Sequence, residues 1–311
     1  MILTVTLNAA IDRTYRIDGF ALDRVNRPQE SWIVAGGKGI NVARVVSRLG
    51  GHVVATGLLG GHNGEFIAGS LKAEGIRGEF VRMAGESRTC IAAVDHMRRT
   101  QTEINEIGPD VGESELQLFQ ERFDALLDEL RPAYVTFSGS VPRGVNDHIY
   151  RDLIATASAH GAQSVLDASG EPLREGVGAK PWMVKPNAVE LEHLTGCSVR
   201  SIAEAAAQAS EIQASGIAVV AATLGANGCV LITKNDRFWA RSPEVPFVSA
   251  VGSGDAFVGA FLASMEEGTT VQDACRRGVA AGAANACRYG AGFIDRYDVD
   301  RLAAQVVIAP V

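Results

Sequence analysis

The chain offers no pattern for a structural metal or a disulfide framework. Its five cysteines, Cys90, Cys197, Cys229, Cys275 and Cys287, are odd in number and form no CxxC pair. They read as reduced, mostly buried thiols of a cytoplasmic protein. No pair of histidines has ligand spacing, which argues against zinc. No apolar run reaches the roughly 18 residues a membrane helix needs, so no membrane partner is expected. The N-terminus, MILTVTLNAAIDRTY, lacks a basic region and a long apolar stretch, and no signal peptide is expected there. No basic block offsets the formal net charge of −7, which argues against nucleic acid as a partner. Any anionic substrate must be met by local Arg and Lys rather than by the overall field. Repeats, low-complexity tracts and long linkers are also missing, and 311 residues suit one large α/β domain.

What is present is alternation. From Tyr134 onward, short apolar runs (YVTFSG, QSVLDASG, PWMVKPN, IAVVAATLG) alternate with amphipathic helical segments. That order predicts a three-layer α/β/α fold around a mainly parallel sheet, with ligands beyond the carboxyl ends of the strands. Ser138–Gly139–Ser140, Asp167, Lys185–Asn187 and Thr223–Gly225 mark those ends. The first third is less regular. ILTVTLNAAID reads as one strand, and the polar, non-helical pieces at about 12–34 and 87–108 are expected to form a small sheet projecting as a lid.

Four segments carry candidate chemistry. In AVGSGDAFVGAF, a helix starts near Asp255, and Gly252, Ser253 and Gly254 can turn backbone N–H groups toward an anion. The bland alternative is an acid in the first helical turn. The helix dipole is expected to depress the Asp255 pKa, which leaves it ionised and a weak base. AGGKGINVAR matches neither phosphate-loop pattern. Trp32 and Gly39 stand where a Walker sequence needs Gly and Ser or Thr, and Val42 stands where a dinucleotide fingerprint needs its last Gly. It remains a Gly-rich turn into a helix, with Gly36, Gly37 and Gly39 allowing close approach of a ligand and Asn41 in the first turn. In VKPNAVELEHL, Asn187 and Glu190 share one face of a first turn. That suits either a Mg²⁺ ion with its waters or a plain capping box. TLGANGCVLI reads as a turn between two strands.

In this order, over about 220 residues, these segments resemble the ribokinase (PfkB-type) family of carbohydrate kinases. TLNAAID, AGGKGINVAR, SRTCIA, QTEINEIGP, SGSVPRG, LDASG, KPNAVELE and VGSGDA are most similar to its 1-phosphofructokinase and tagatose-6-phosphate kinase branch. The resemblance implies a ribokinase-like fold, ATP and Mg²⁺ as cofactors, and a ketohexose monophosphate as substrate. D-fructose 1-phosphate is favoured, then D-tagatose 6-phosphate, then fructose 6-phosphate. It implies Asp255 as catalytic base with Gly252, Ser253 and Gly254 as the anion hole. Asn187 and Glu190 would hold the metal. Lys185, Thr223, Gly225, Asn227, Gly228, Gly254 and Asn285 would meet the nucleotide. Asp12, Gly37, Lys38 and Asn41 would orient the sugar, with Arg27, Arg88, Gly139 and Ser140 at its phosphate. A homodimer through the lid is also implied.

Two departures stand out: Ala9 follows Asn8 where the family usually has proline, and Thr223 opens a loop that usually opens with serine. A kinase of unphosphorylated sugars or nucleosides is opposed by Arg88 and QTEINEIGP. A catalytically dead sensor is opposed by the presence of Asp255 and its glycines.

Overall fold

In the computed structural model, residues 1–98 and 100–311 are described. The chain runs β1 (Ile2–Thr6), β2 (Ala10–Arg16), β3 (Glu30–Gly36), α1 (Lys38–Arg48), β4 (Val53–Gly60), α2 (Gly61–Ala73), β5 (Arg77–Met83), β6 (Arg88–Asp95) and β7 (Thr100–Asn105). It continues through α3 (Glu113–Leu130), β8 (Tyr134–Ser138), α4 (Ile149–Ala159), β9 (Gln163–Asp167), α5 (Gly170–Gly178), β10 (Met183–Val184), α6 (Ala188–Thr195), α7 (Ile202–Ala214) and β11 (Val219–Thr223). It ends with β12 (Cys229–Thr233), β13 (Arg237–Arg241), α8 (Ser253–Glu266), α9 (Val271–Ala286), α10 (Arg296–Ala303) and β14 (Val307–Pro310).

Ten strands form the main sheet in the order β14-β13-β12-β11-β10-β9-β8-β1-β4-β5. From β11 to β5 every pairing is parallel, and β12 to β14 add an antiparallel edge. The parallel strands are apolar on both faces because helices cover both. Leu3, Val5 and Val135 point into one core with Phe119, Phe123, Tyr150, Leu191 and Ala209, which brings α3 to α7 onto that face. Ile2, Tyr134 and Val165 point the other way, against α1, α8, α9 and α10. The alternation along β1 thus sends successive residues to two separate cores.

The sequence order turns back at β1. The chain lays β4 and β5 to one side, then returns with β8 on the other, so β1 and β8 flank the switch point where such sheets open a crevice. There the structure departs from the sequence reading. ILTVTLNAAID is not one strand: it breaks at Leu7–Ala9, and Ala10 enters a second sheet beside Gly36 and Arg88. The break is held by Asn8, whose Nδ2 donates to the Ile107 carbonyl at 2.8 Å and to Ser140 Oγ at 3.1 Å.

The second sheet has the order β3-β2-β6-β7. The glycines around the start of α1 lie close to neighbouring chain. A Cβ on Gly39 would strike Thr6 Oγ1 and lie 2.7 Å from the Val5 carbonyl, and one on Gly36 would strike the Asp12 carboxylate. Glycine there lets α1 sit directly on the end of β1 and lets Asp12 lie flat against β3. The thiols also differ from expectation: Cys229 and Cys275 are buried, Cys90 and Cys287 half-buried and Cys197 exposed.

Candidate active site

The carboxyl ends of β1, β8, β9, β10 and β11 converge on one cluster. At its floor lies Asp167, the last residue of β9 and almost fully buried. Its Oδ1 accepts from Lys38 Nζ at 2.9 Å and pairs with Lys185 Nζ at 3.2 Å. Burial would raise its pKa, but the two ammonium groups hold it below the ordinary value. Burial would likewise lower the Lys38 pKa, yet Asp167, Asp255 and Glu190 hold it above its usual range. Sequence reasoning noted Asp167 at a strand end and gave it no role.

Asp255 lies in the first turn of α8, buried, with Oδ2 accepting from Asn41 Nδ2 at 2.8 Å. The expected depression of its pKa is not found. Burial and the nearby Asp167 charge push the carboxyl up to about 6. Lys38, Asn41 and Lys185 limit the rise. Asp12, on the inward face of the small sheet, is pushed up to about 7 by burial and by Asp255, against the pull of Arg88 and Arg44.

The α8 N-terminus is shaped as a donor site, with one change. Ser253 N–H closes a turn on the Ala250 carbonyl at 3.1 Å. Among the described residues, Gly254 and Asp255 N–H take no partner. Lys185 Nζ would lie 3.3 Å from a Cβ on Gly254, so an ammonium and bare backbone donors border the same space. Gly252 precedes them at φ 79°, where a side chain would strike Ala291.

Asn187 and Glu190 form the reciprocal capping box: Glu190 N–H donates to Asn187 Oδ1 at 2.9 Å, and Asn187 N–H to Glu190 Oε2 at 2.8 Å. Thr223 is bound beside them, its N–H donating to the Pro186 carbonyl at 2.9 Å. After it, Gly225–Asn227 make one exposed 3₁₀ turn, while Gly228 is buried against the Ala240 carbonyl. Asn285 departs from its expected nucleotide contact. It is fully buried, and its amide is spent on the chain, donating to the Val251 carbonyl at 2.7 Å and accepting from Gly292 N–H at 2.8 Å. It holds the loop before α8.

At the switch point, Asn8 links Ser140 to Arg88, whose Nε donates to the Asn8 carbonyl at 3.1 Å and whose second nitrogen donates to the Glu106 carbonyl at 3.0 Å. Gly139, at φ 93°, lies against the Lys38 stem. Gly37, the residue before α1, packs on Thr6 and Ala9. Arg27 is the outlier. It is exposed in the 17–29 loop, and no described contact joins it to the cluster. Asn8 and Arg44 escaped sequence reasoning, because their partners lie far away along the chain.

A profile of the pfkB family carbohydrate kinases matches residues 5–296. The chain belongs to that family. It is 32% identical over 307 residues to a 1-phosphofructokinase of Borreliella burgdorferi, covering 98% of this chain and 97% of that protein. It is 34% identical to a tagatose-6-phosphate kinase of Staphylococcus epidermidis, covering both chains in full. Phosphofructokinase-2 from Escherichia coli, solved with substrates and products, superposes with a TM-score of 0.91 at 27% identity over 98% of this chain and 99% of that one. This PfkB-family kinase therefore has the ribokinase-like fold, with the small sheet as a separate layer. Among its described residues no helix is long and apolar enough to cross a membrane.

The raised carboxyl pKa values set a stability prediction. A carboxyl that holds its proton more tightly when folded favours the fold at low pH, and this contribution is lost as pH rises from about 4 through 6 to 7. Asp255→Asn should therefore raise the melting temperature of the ligand-free protein at pH 8, by the equivalent of about 1–3 kcal/mol. The two curves should converge near pH 4. A variant equally or less stable at pH 8 would contradict the burial of a charged carboxylate.

Proposed function

We propose that this kinase transfers the γ-phosphoryl group of ATP to a hydroxyl of a ketohexose monophosphate, giving a bisphosphate. D-fructose 1-phosphate is the first choice of acceptor, D-tagatose 6-phosphate the second and fructose 6-phosphate the third. The observation that carries the reading is Asp255: a buried carboxyl with a pKa near neutral, at a helix N-terminus whose N–H donors and Lys185 border one space. Phosphoryl transfer needs in-line positioning and charge neutralisation. Asp255 accepts the proton of the attacking hydroxyl. Gly254 and Asp255 N–H, with Lys185, receive charge on the transferred group. A base with a pKa just below the operating pH suits this task better than the strongly acidic group expected from the dipole alone.

The exposed 225–227 turn beside Asn187 suits the nucleotide. Asp167 Oδ2 is buried without a hydrogen-bond partner, and with Glu190 and Asn187 it offers the hard oxygen donors that fit Mg²⁺. When bound, that ion neutralises nucleotide phosphate charge. The substrate's own phosphate falls to Arg88, Ser140 and Lys38 around the switch point, and Asp12 and Asn41 face its hydroxyls. The relatives named for two different ketose phosphates support the substrate class.

The outward row of the small sheet, Ile33–Arg13–Ile91–Ile104 across β3, β2, β6 and β7, suits pairing with a second copy. Ile33 and Ile104 are 44% and 61% exposed on it.

An ADP-release assay over the three sugar phosphates tests the reaction. Turnover should appear on at least one and fall about 10²–10⁴-fold in Asp255→Asn, with ATP binding retained. Near-normal kcat in that variant would remove the base. Arg88→Ala should raise KM for the sugar phosphate about tenfold to a hundredfold, from the loss of one charge-assisted hydrogen bond. Slow turnover of an unphosphorylated ketohexose should be unchanged. Equal loss on both would mean that Arg88 only braces Asn8 and Glu106. For the assembly, Ile104→Glu should sediment as a monomer under conditions where the parent is a dimer, and a monomeric parent would end that proposal.

A further inference from the structure

Arg44 is the largest side chain sealed completely inside the protein, and no step outlined above uses it. It stands on α1 three residues after Asn41, one turn along the same face. All five of its N–H donors are engaged. Nε and NH2 grip the two oxygens of Glu74, just past α2, at 2.5 and 3.0 Å. NH2 also donates to the Ala35 carbonyl at the end of β3, at 2.8 Å. NH1 donates to the Ala291 carbonyl at 3.0 Å and to Asn41 Oδ1 at 3.1 Å. The Phe293 ring lies 4.6 Å from the guanidinium carbon.

The last of these bonds matters for chemistry. A carboxamide has two nearly isosteric ends, one accepting and one donating. Turned one way, Asn41 donates to Asp255. Turned the other way, it sets an oxygen against a carboxylate. A guanidinium has no acceptor, so Arg44 can bind only Asn41 Oδ1. Asn41 Nδ2 is thereby directed at Asp255 Oδ2, 2.8 Å away. Two further arms of Arg44 fix the end of β3, which carries the small sheet, and Ala291, which abuts Gly252 at the start of the Asp255 helix.

Resting on the assignment of Asp255 as base, we propose that Arg44, clamped by Glu74, is a positioning residue. It holds the Asn41 carboxamide in the one orientation that donates to Asp255, and so aims the base at the acceptor hydroxyl. A buried ion pair adds little net stability over apolar side chains of similar volume, so stability alone is a weak reason for this one. Asp255 is also faced by Asp167 from β9, Lys38 from α1, Lys185 after β10 and Asp12 from β2. Arg44 is faced by Glu74, Asp12 and Arg48. None of these is altered in Arg44→Lys, which keeps the charge and loses the fork.

The test reads the base directly. The Asp255 carboxyl is titrated by carbon-13 NMR in the ligand-free protein, with Asp255→Asn to identify the signal. In Arg44→Lys its midpoint should rise by about one unit, as a donor to the charged form is lost. In the kinase assay, kcat should fall about 10- to 100-fold with KM for ATP unchanged. In an Asn41→Ala background, Arg44→Lys should cost nothing further. If Arg44→Lys fails to fold, Arg44→Met with Glu74→Met fills the same space with apolar side chains. That pair should keep the melting temperature and show the same carboxyl shift and kcat loss. An unmoved Asp255 midpoint, or losses at Arg44 and Asn41 that multiply, would overturn the proposal. A parent protein that turns over no sugar would instead overturn the kinase reading, and the carboxyl titration would still decide the role of Arg44.

Discussion

Two buried carboxyl groups, Asp12 and Asp255, share one site, and the Asp255 charge raises the cost of ionising Asp12 as the Asp167 charge does for Asp255. Burying a charge is tolerable only with partners. This chain supplies four cations from three places in the fold: Lys38 and Arg44 on α1, Lys185 after β10 and Arg88 on β6. The site exists only where those elements meet. The main sheet brings Lys185 and Asp167 to its edge, and the small sheet brings Asp12 and Arg88. The carboxyls rise to about 7 and 6 because the compensation is partial. Full neutralisation would have left two inert carboxylates. Partial neutralisation leaves one group able to take up a proton near neutral pH.

The same constraint explains the backbone around α1. Asp12 can approach Asp255 only if β2 and β3 end close to the helix, and any side chain on Gly36 would occupy the space of the Asp12 carboxylate. The glycines around the start of α1 thus let the protein pack closely on itself. The second glycine cluster, at α8, differs: Lys185 stands beside Gly254, and the proposed anion site lies there.

Legibility in the sequence followed the range of the interaction. The strand–helix order after Tyr134, the polar segments of the small sheet and the GSGD helix start are local patterns, and each was readable from a few neighbouring residues. Asn187 and Glu190 were readable too, since a capping box spans only three positions. The break of the first strand was not, because Asn8 is fixed by Ile107 and Ser140, about a hundred residues and more away. Nor was the pKa of Asp255. The helix start is a local pattern visible in the sequence, whereas Asp167 and the enclosing core, which raise the pKa, come from distant parts of the chain. Arg44 carries no local signal of its surroundings. Its complete burial depends on Glu74, Ala35 and Ala291, none of which is its neighbour along the chain.

The turn from Asn285 to Gly292 binds these parts into one unit. Asn285 fixes Val251 and Gly292, and the Ala291 carbonyl accepts from Arg44 while its methyl leaves room only for glycine at 252. Tyr289 stacks on Trp32 of the small sheet with ring centroids 3.9 Å apart and hydrogen-bonds His96 beyond β6. Just before α8, Ser249 donates to Gln101 of β7 at 3.1 Å. The small sheet therefore reaches Asp255 by three routes: through the charge of Asp12, through Ala35 and Arg44 to Asn41, and through Tyr289 and Ser249 to the loop that starts α8. A displacement of that sheet changes the surroundings of Asp255 along every route at once. With Asp255 as the proposed base and the small sheet on the proposed sugar side, this arrangement would align the base only when that side is in place.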